Sequence, residues 1–161
     1  MGLVIASGCG YHFGGGPVES PFDPDIKTIE VRSAVNNTNV TGIEVELTNG
    51  LREEFALGAR LKPVRSGGDV ILTTLINSYQ DVPASYKADG KELTRIGTLE
   101  VVCKLQKSQT KKPLWEKTLS SSLTYLVAET AAGTLANRRR AKSTMIRESI
   151  TRIERALYDN F

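Results

Sequence analysis

Three groups of residues in this chain have the types and spacing to do chemistry. Cys9 follows the small residues Ala6-Ser7-Gly8 and the apolar run Leu3-Val4-Ile5. That resembles a bacterial lipobox, in which a signal peptide is cut before the cysteine and the new terminal thiol takes a diacylglycerol, or it is an ordinary flexible N-terminus with an incidental cysteine. The second group is basic: Lys87 and Lys91 flank Ala88-Asp89-Gly90, and Arg138-Arg139-Arg140 run on to Lys142. Such cations attract phosphates, nucleic acid or an anionic glycolipid, or they simply solvate a loop and a helix start. The third group holds the side chains common in catalysis, and their arrangement argues against an enzyme. His12 lies between Tyr11 and Phe13 in a glycine-rich stretch, and Glu53 and Glu54 are adjacent, so on a helix they face different directions. No histidine is placed to serve Cys9 or Cys103 as a base, and neither a Gly-x-Ser-x-Gly elbow nor a Gly-x-x-x-x-Gly-Lys loop occurs. With two cysteines, no Cys-x-x-Cys pair and one histidine, neither a zinc site nor a disulfide scaffold can be read from the counts, and no metal or cofactor is expected.

The elements that must position these groups follow from periodicity. At 161 residues, 40% of them hydrophobic, the chain suits one core. A net charge of +3 names no partner by itself. Residues 1–8 read as the remnant of a signal peptide, lacking a charged n-region, and residues 9–25 as a lipidated N-terminus and a Gly- and Pro-rich linker. A strand is expected over Ile26–Val35. A helix follows from Thr41, capped by Thr41 with Glu44 three residues on, carrying Ile43, Leu47, Leu51 and Phe55 on one face and ending near Gly58 and Pro63. Strands are expected over 69–82, 93–107 and 113–126, joined by turns at Ala88–Lys91 and Thr110–Pro113. In the third strand Leu99, Val101, Cys103 and Leu105 share a face. In the second, Val70, Leu72 and Ile76 face one way and Ile71, Leu75 and Tyr79 the other, so neither face is polar. Ile146, Ile150, Ile153 and Leu157 mark a last helix after an Ala- and Arg-rich link.

The order β-α-β-β-β-α is an α+β fold, a four-stranded mixed sheet with two helices packed on one face, forming a single domain over 26–161. A β-α-β unit followed by two hairpins makes strands one, two and four point alike. The turn with Lys87 and Lys91 then shares one pole with the link carrying Arg138, Arg139 and Arg140, while Cys9 lies toward the other. Nucleic acid is not the expected polyanion, because the arginines are not interleaved with aromatic residues.

The lipobox with CGYHFGG, the VNNTNVTGIEVELTNGLREEF segment with GARL behind it, the YKADG hairpin and the PLWEKTLSSSLTY strand together resemble the lipopolysaccharide-assembly lipoprotein LptE family. The resemblance spans Cys9 to Phe161. It implies a non-catalytic lipoprotein, held by its acyl chains on the periplasmic side of the outer membrane, that plugs and assembles with the LptD β-barrel and binds lipopolysaccharide. Lys87, Lys91, Arg138, Arg139 and Arg140 are the residues that topology offers for the lipopolysaccharide. Two alternatives stay open: a lipid-anchored scaffold or secretion pilot with another protein partner, and a periplasmic enzyme using Cys103.

Overall fold

The computed structural model describes residues 25–58 and 60–159. Cys9, the lipobox and almost all of the linker lie outside them. The expected α+β class is present, with six strands among the described residues in place of four. In chain order the elements are β1 (Thr28–Val31), β2 (Val35–Asn36), α1 (Ile43–Leu57), β3 (Lys62–Val64), β4 (Val70–Tyr86), β5 (Glu92–Lys107), β6 (Pro113–Leu126) and α2 (Ala131–Asp159).

The two extra strands have local causes. The strand expected over Ile26–Val35 breaks between Val31 and Val35, because side chains of α1 take over the backbone bonds there. Arg52 Nη2 donates to the Val31 carbonyl at 3.0 Å, and the Ala34 N–H donates to Thr48 Oγ1 at 2.9 Å. The Arg32 and Asn37 N–H groups return to β4, donating to the carbonyls of Leu72 and Ile76. After α1, Lys62–Val64 pairs in parallel with β1 at the sheet's edge. Pro63, expected only to end a helix, is tolerated in that strand because an edge leaves one side of the backbone unpaired.

The strand order is β3-β1-β4-β5-β6, with β2 also on β4. β1 runs parallel to β4, and antiparallel pairing reverses β5 and restores β6, so β1, β4 and β6 do point alike. One face of this sheet is dry. Val70, Leu72 and Ile76 of β4, Leu99, Val101, Cys103 and Leu105 of β5, and Trp115 of β6 are buried in one cluster with Ile43, Leu47, Leu51 and Phe55 of α1 and Met145, Ile146, Ile150, Ile153 and Leu157 of α2. Gly50 permits the close crossing of the two helices, since a Cβ there would run into the Ile150 side chain.

Three further expectations are corrected. Thr41 does not cap α1; the cap is Gly42, in the left-handed region at φ 87°, and the Glu44 carboxylate accepts the Gly42 N–H at 3.3 Å. Tyr79 does not face away from Ile76: the register shift between Ile76 and Ser78 adds one residue, so Tyr79 pairs with Leu99 on the helix face. The basic stretch is no link, because α2 begins at Ala131 and Arg138, Arg139, Arg140 and Lys142 lie within it.

Candidate functional site

Beyond its bulge β4 continues past the apolar core, and every second residue still faces α2. Tyr79 and Asp81 on β4 therefore sit beside Arg95 and Gly97 on β5 and Leu123 and Tyr125 on β6. Gly97 leaves room for Met145, whose Cε would lie 2.8 Å from a Cβ at that position. Past Met145 the helix has fewer apolar groups to bury, and charged contacts take over.

Asp81 is the centre of those contacts. Arg95 Nε donates to its Oδ1 at 2.7 Å, and Arg95 Nη2 donates to its backbone carbonyl at 2.7 Å. Arg95 Nη1 also donates to Glu92 Oε2 at 2.7 Å, which places this guanidinium between two carboxylates. The Tyr125 hydroxyl donates to the Asp81 carboxylate, 2.7 Å from Oδ2, and Arg138 Nε lies 2.8 Å from the same oxygen and 3.2 Å from the Tyr125 Oη. Four elements meet on one carboxylate whose side chain is 12% exposed. Burial pushes its pKa up, but the bonds from Arg95 and Tyr125 and the Arg138 charge outweigh that and hold it below the ordinary aspartate value. The same burial and the nearby carboxylate raise Tyr79.

An open groove of about 620 Å³ runs alongside this network, between α2 and the loop ahead of α1, with Val40, Tyr79, Leu135, Arg138, Arg139 and Lys142 on its walls. Of the basic residues singled out from the sequence, Arg138 and Arg139 reach this groove. Arg140 does not; consecutive helical residues turn about 100°, and it lines a shallower groove with Leu126 and Thr144 beside β6. Lys87 and Lys91 are exposed at the β4–β5 turn, where the Lys87 N–H donates to the Lys91 carbonyl at 2.7 Å and Lys91 Nζ lies 3.4 Å from Asp89. The basic groups thus form separate places at one pole. Asp25, where the described chain begins, lies at the other with Lys107 and Thr110.

The LptE family model, described as lipopolysaccharide-assembly, matches residues 26–157. The chain belongs to the LptE family. This is a non-enzymatic family of outer-membrane lipoproteins that serve lipopolysaccharide assembly, and its match takes in the six strands described, α1, and α2 as far as Leu157. Solved structures share the fold. The rare lipoprotein B of Shewanella oneidensis superposes with a TM-score of 0.60 at 17% identity, covering 80% of this chain and 92% of that one. Lipoprotein B of Nitrosomonas europaea gives a TM-score of 0.59 at 14% identity, covering 83% of each chain. No curated protein sequence matches this LptE-family chain.

Other chemistry finds less support in the geometry. Cys103 is fully buried on the core face, and burial pushes its thiol up to about 12, which leaves it protonated and shielded. Among the described residues, no helix is long and apolar enough to cross a membrane. Asp81, Arg95 and Tyr125 form no sequence motif, yet one signal was available. Arg95 has the same parity as Gly97, Leu99, Val101 and Cys103, so it had to face the helix side, where a charge needs a partner. The bulge hides which carboxylate answers it.

Proposed function

We propose that this LptE-family protein is an outer-membrane lipoprotein, anchored through Cys9 on the periplasmic side, that assembles with an LptD-like β-barrel and binds lipopolysaccharide at its basic pole. The observation that carries the reading is the LptE match across residues 26–157. The layout supports it. The β4–β5 turn with Lys87 and Lys91 and the part of α2 with Arg138, Arg139 and Arg140 share the end of the sheet opposite Asp25, so an N-terminal tether and a glycolipid would occupy different poles. Val35, Val82 and Leu126 stand exposed on strands, apolar groups that a surrounding barrel wall would cover. Cations at the pole would engage lipopolysaccharide phosphates by charge-assisted hydrogen bonds.

The test is purification of the tagged, full-length protein from its native outer membrane in mild detergent. A large β-barrel at a fixed one-to-one ratio is expected. A different partner in fixed ratio would replace the barrel reading with that of an anchored scaffold or secretion pilot. For the ligand, joint replacement of Lys87, Lys91, Arg138, Arg139 and Arg140 by glutamine is expected to weaken lipopolysaccharide binding, most at low salt. Unchanged binding would remove the glycolipid from the assignment.

A further inference from the structure

We propose that Asp81, with Tyr125, is a positioning residue that aims Arg138 into the groove, where Arg138, Arg139 and Lys142 form a site for the phosphate of an amphiphile. The inference rests on the glycolipid reading above and narrows it to one groove and to residues outside the basic run.

Orientation is the first step. Arg138 pairs with Asp81 and donates to Tyr125 through its Nε, while the side chain as a whole remains 45% exposed on the groove wall. A guanidinium gripped by one edge keeps its other N–H groups for an incoming oxyanion, and its planar fork suits phosphate. Charge is the second step. Asp81 would neutralise Arg138 if it had no other partner. Arg95, however, already binds that carboxylate at 2.7 Å and shares Glu92 as well, so two carboxylates balance two guanidinium groups in the cluster. Arg139 and Lys142 then add two positive charges beside it, against the Glu44 carboxylate, which feels the Lys142 charge, so the balance over the groove stays positive. Lys142 stands four residues after Arg138 and three after Arg139, so the three cations fall within about one turn of α2 and line the same groove.

The ligand class follows from the remaining walls. Leu135 is 44% exposed here, and the partly buried Tyr79 ring lines the same groove. A free inorganic anion would gain nothing from that apolar surface, whereas a phosphorylated lipid headgroup with its adjoining acyl region would cover it. The shared chemistry is a phosphate ester, and the apolar wall selects the lipid-borne form.

The experiment titrates the full-length protein in detergent with lipopolysaccharide, with enzymatically dephosphorylated lipopolysaccharide and with inorganic phosphate. Wild type is expected to prefer the phosphorylated glycolipid and to be displaced little by inorganic phosphate. Asp81→Asn should bind it about tenfold more weakly and lose the preference over the dephosphorylated form, with partial recovery in Asp81→Glu. A merely structural role would weaken both glycolipids alike. Arg139→Gln with Lys142→Gln, both at exposed or half-exposed positions, should lose the same preference with an unchanged melting temperature. If these variants keep the wild-type preference while Lys87→Gln with Lys91→Gln loses binding, the glycolipid reading stands and the groove assignment is overturned. Equal displacement by inorganic phosphate would overturn the amphiphile. Absence of any lipopolysaccharide binding in wild type would overturn the reading beneath both.

Discussion

The helix-facing side of the sheet is built in two ways along its length. Toward the end where the described chain begins, Leu72, Val101, Cys103 and Leu105 form a dry surface against α1 and the C-terminal half of α2. Beyond the bulge at residue 77, the same face of the same strands presents Tyr79, Asp81, Arg95 and Tyr125 to Arg138. The first half is held by area removed from water, without directional demands. The second is held by bonds that need each partner in place, and it leaves a groove with both charged and apolar walls open beside the helix. One continuous sheet thus supplies a rigid base and, as its extension, a surface able to meet a ligand.

Truncation in the dry half should have the largest effect. Leu105→Ala removes a fully buried side chain from the core cluster, and a loss of about 3 kcal/mol is expected from chemical denaturation. A loss under about 1 kcal/mol would mean that this half is not close-packed, and the contrast would fail. Asp81→Ala should come next, at roughly 2 kcal/mol, because it strands Arg95, whose side chain is 17% exposed, with Glu92 as its remaining carboxylate.

The two truncations should also differ in their response to acid. The pKa of Asp81 is depressed in the folded protein, so its contribution is complete above the unfolded value of about 3.9 and is lost as pH falls through the lower, folded value. The stability gap between wild type and Asp81→Ala should therefore narrow in strongly acidic solution, while that for Leu105→Ala should not. Equal narrowing of both gaps would break the distinction between burial and charge.

Most of the dry half was legible. Ile146, Ile150, Ile153 and Leu157 declare their helix by spacing alone, and Gly58 ends α1 where its glycine marks the stop. The two hairpins follow from Ala88–Lys91 and Thr110–Pro113, with Gly90 at φ 83° and Lys111 at φ 53° providing the left-handed turns. The polar half was obscured by one inserted residue. Counting by twos from Ile71 puts Tyr79 and Asp81 on the outer face, and nothing in Asn77 itself announces the bulge that returns them to Arg95. The break after Val31 was equally hidden, because it depends on Arg52 and Thr48 arriving from a helix further along the chain. Arg138 to Arg140 were visible as a basic run, but only the helix phase separates Arg139 from Arg140.

At the joint between the halves, Gly97→Ala places a methyl group against the end of the Met145 side chain. Methionine is flexible and can move its terminal methyl, so a cost of about 1 kcal/mol is expected. Because Met145 lies one turn from Ala141 and Lys142, the displacement should also alter the groove end of α2. Hydrogen exchange should report it as faster opening of residues 131–142 than of 146–157. Uniform acceleration along α2 would show that the two halves of the helix open together. The polar network would then be no separate unit.

The smallest effect is expected away from both halves, on the outer face. Lys104 Nζ lies 2.9 Å from Glu116 Oε2, a geometry as close as several bonds around Asp81, but the two side chains are 44% and 54% exposed. Water screens the pair, and ordering two long side chains offsets much of the attraction. Lys104→Gln should therefore change stability by less than about 0.5 kcal/mol. If it instead matched Asp81→Ala, distance alone would set the value of an ion pair in this protein, and enclosure of Asp81 by β4, β5, β6 and α2 would lose its explanatory role. The expected disparity makes enclosure the reason that the pole beyond the bulge holds its shape without an apolar core beneath it.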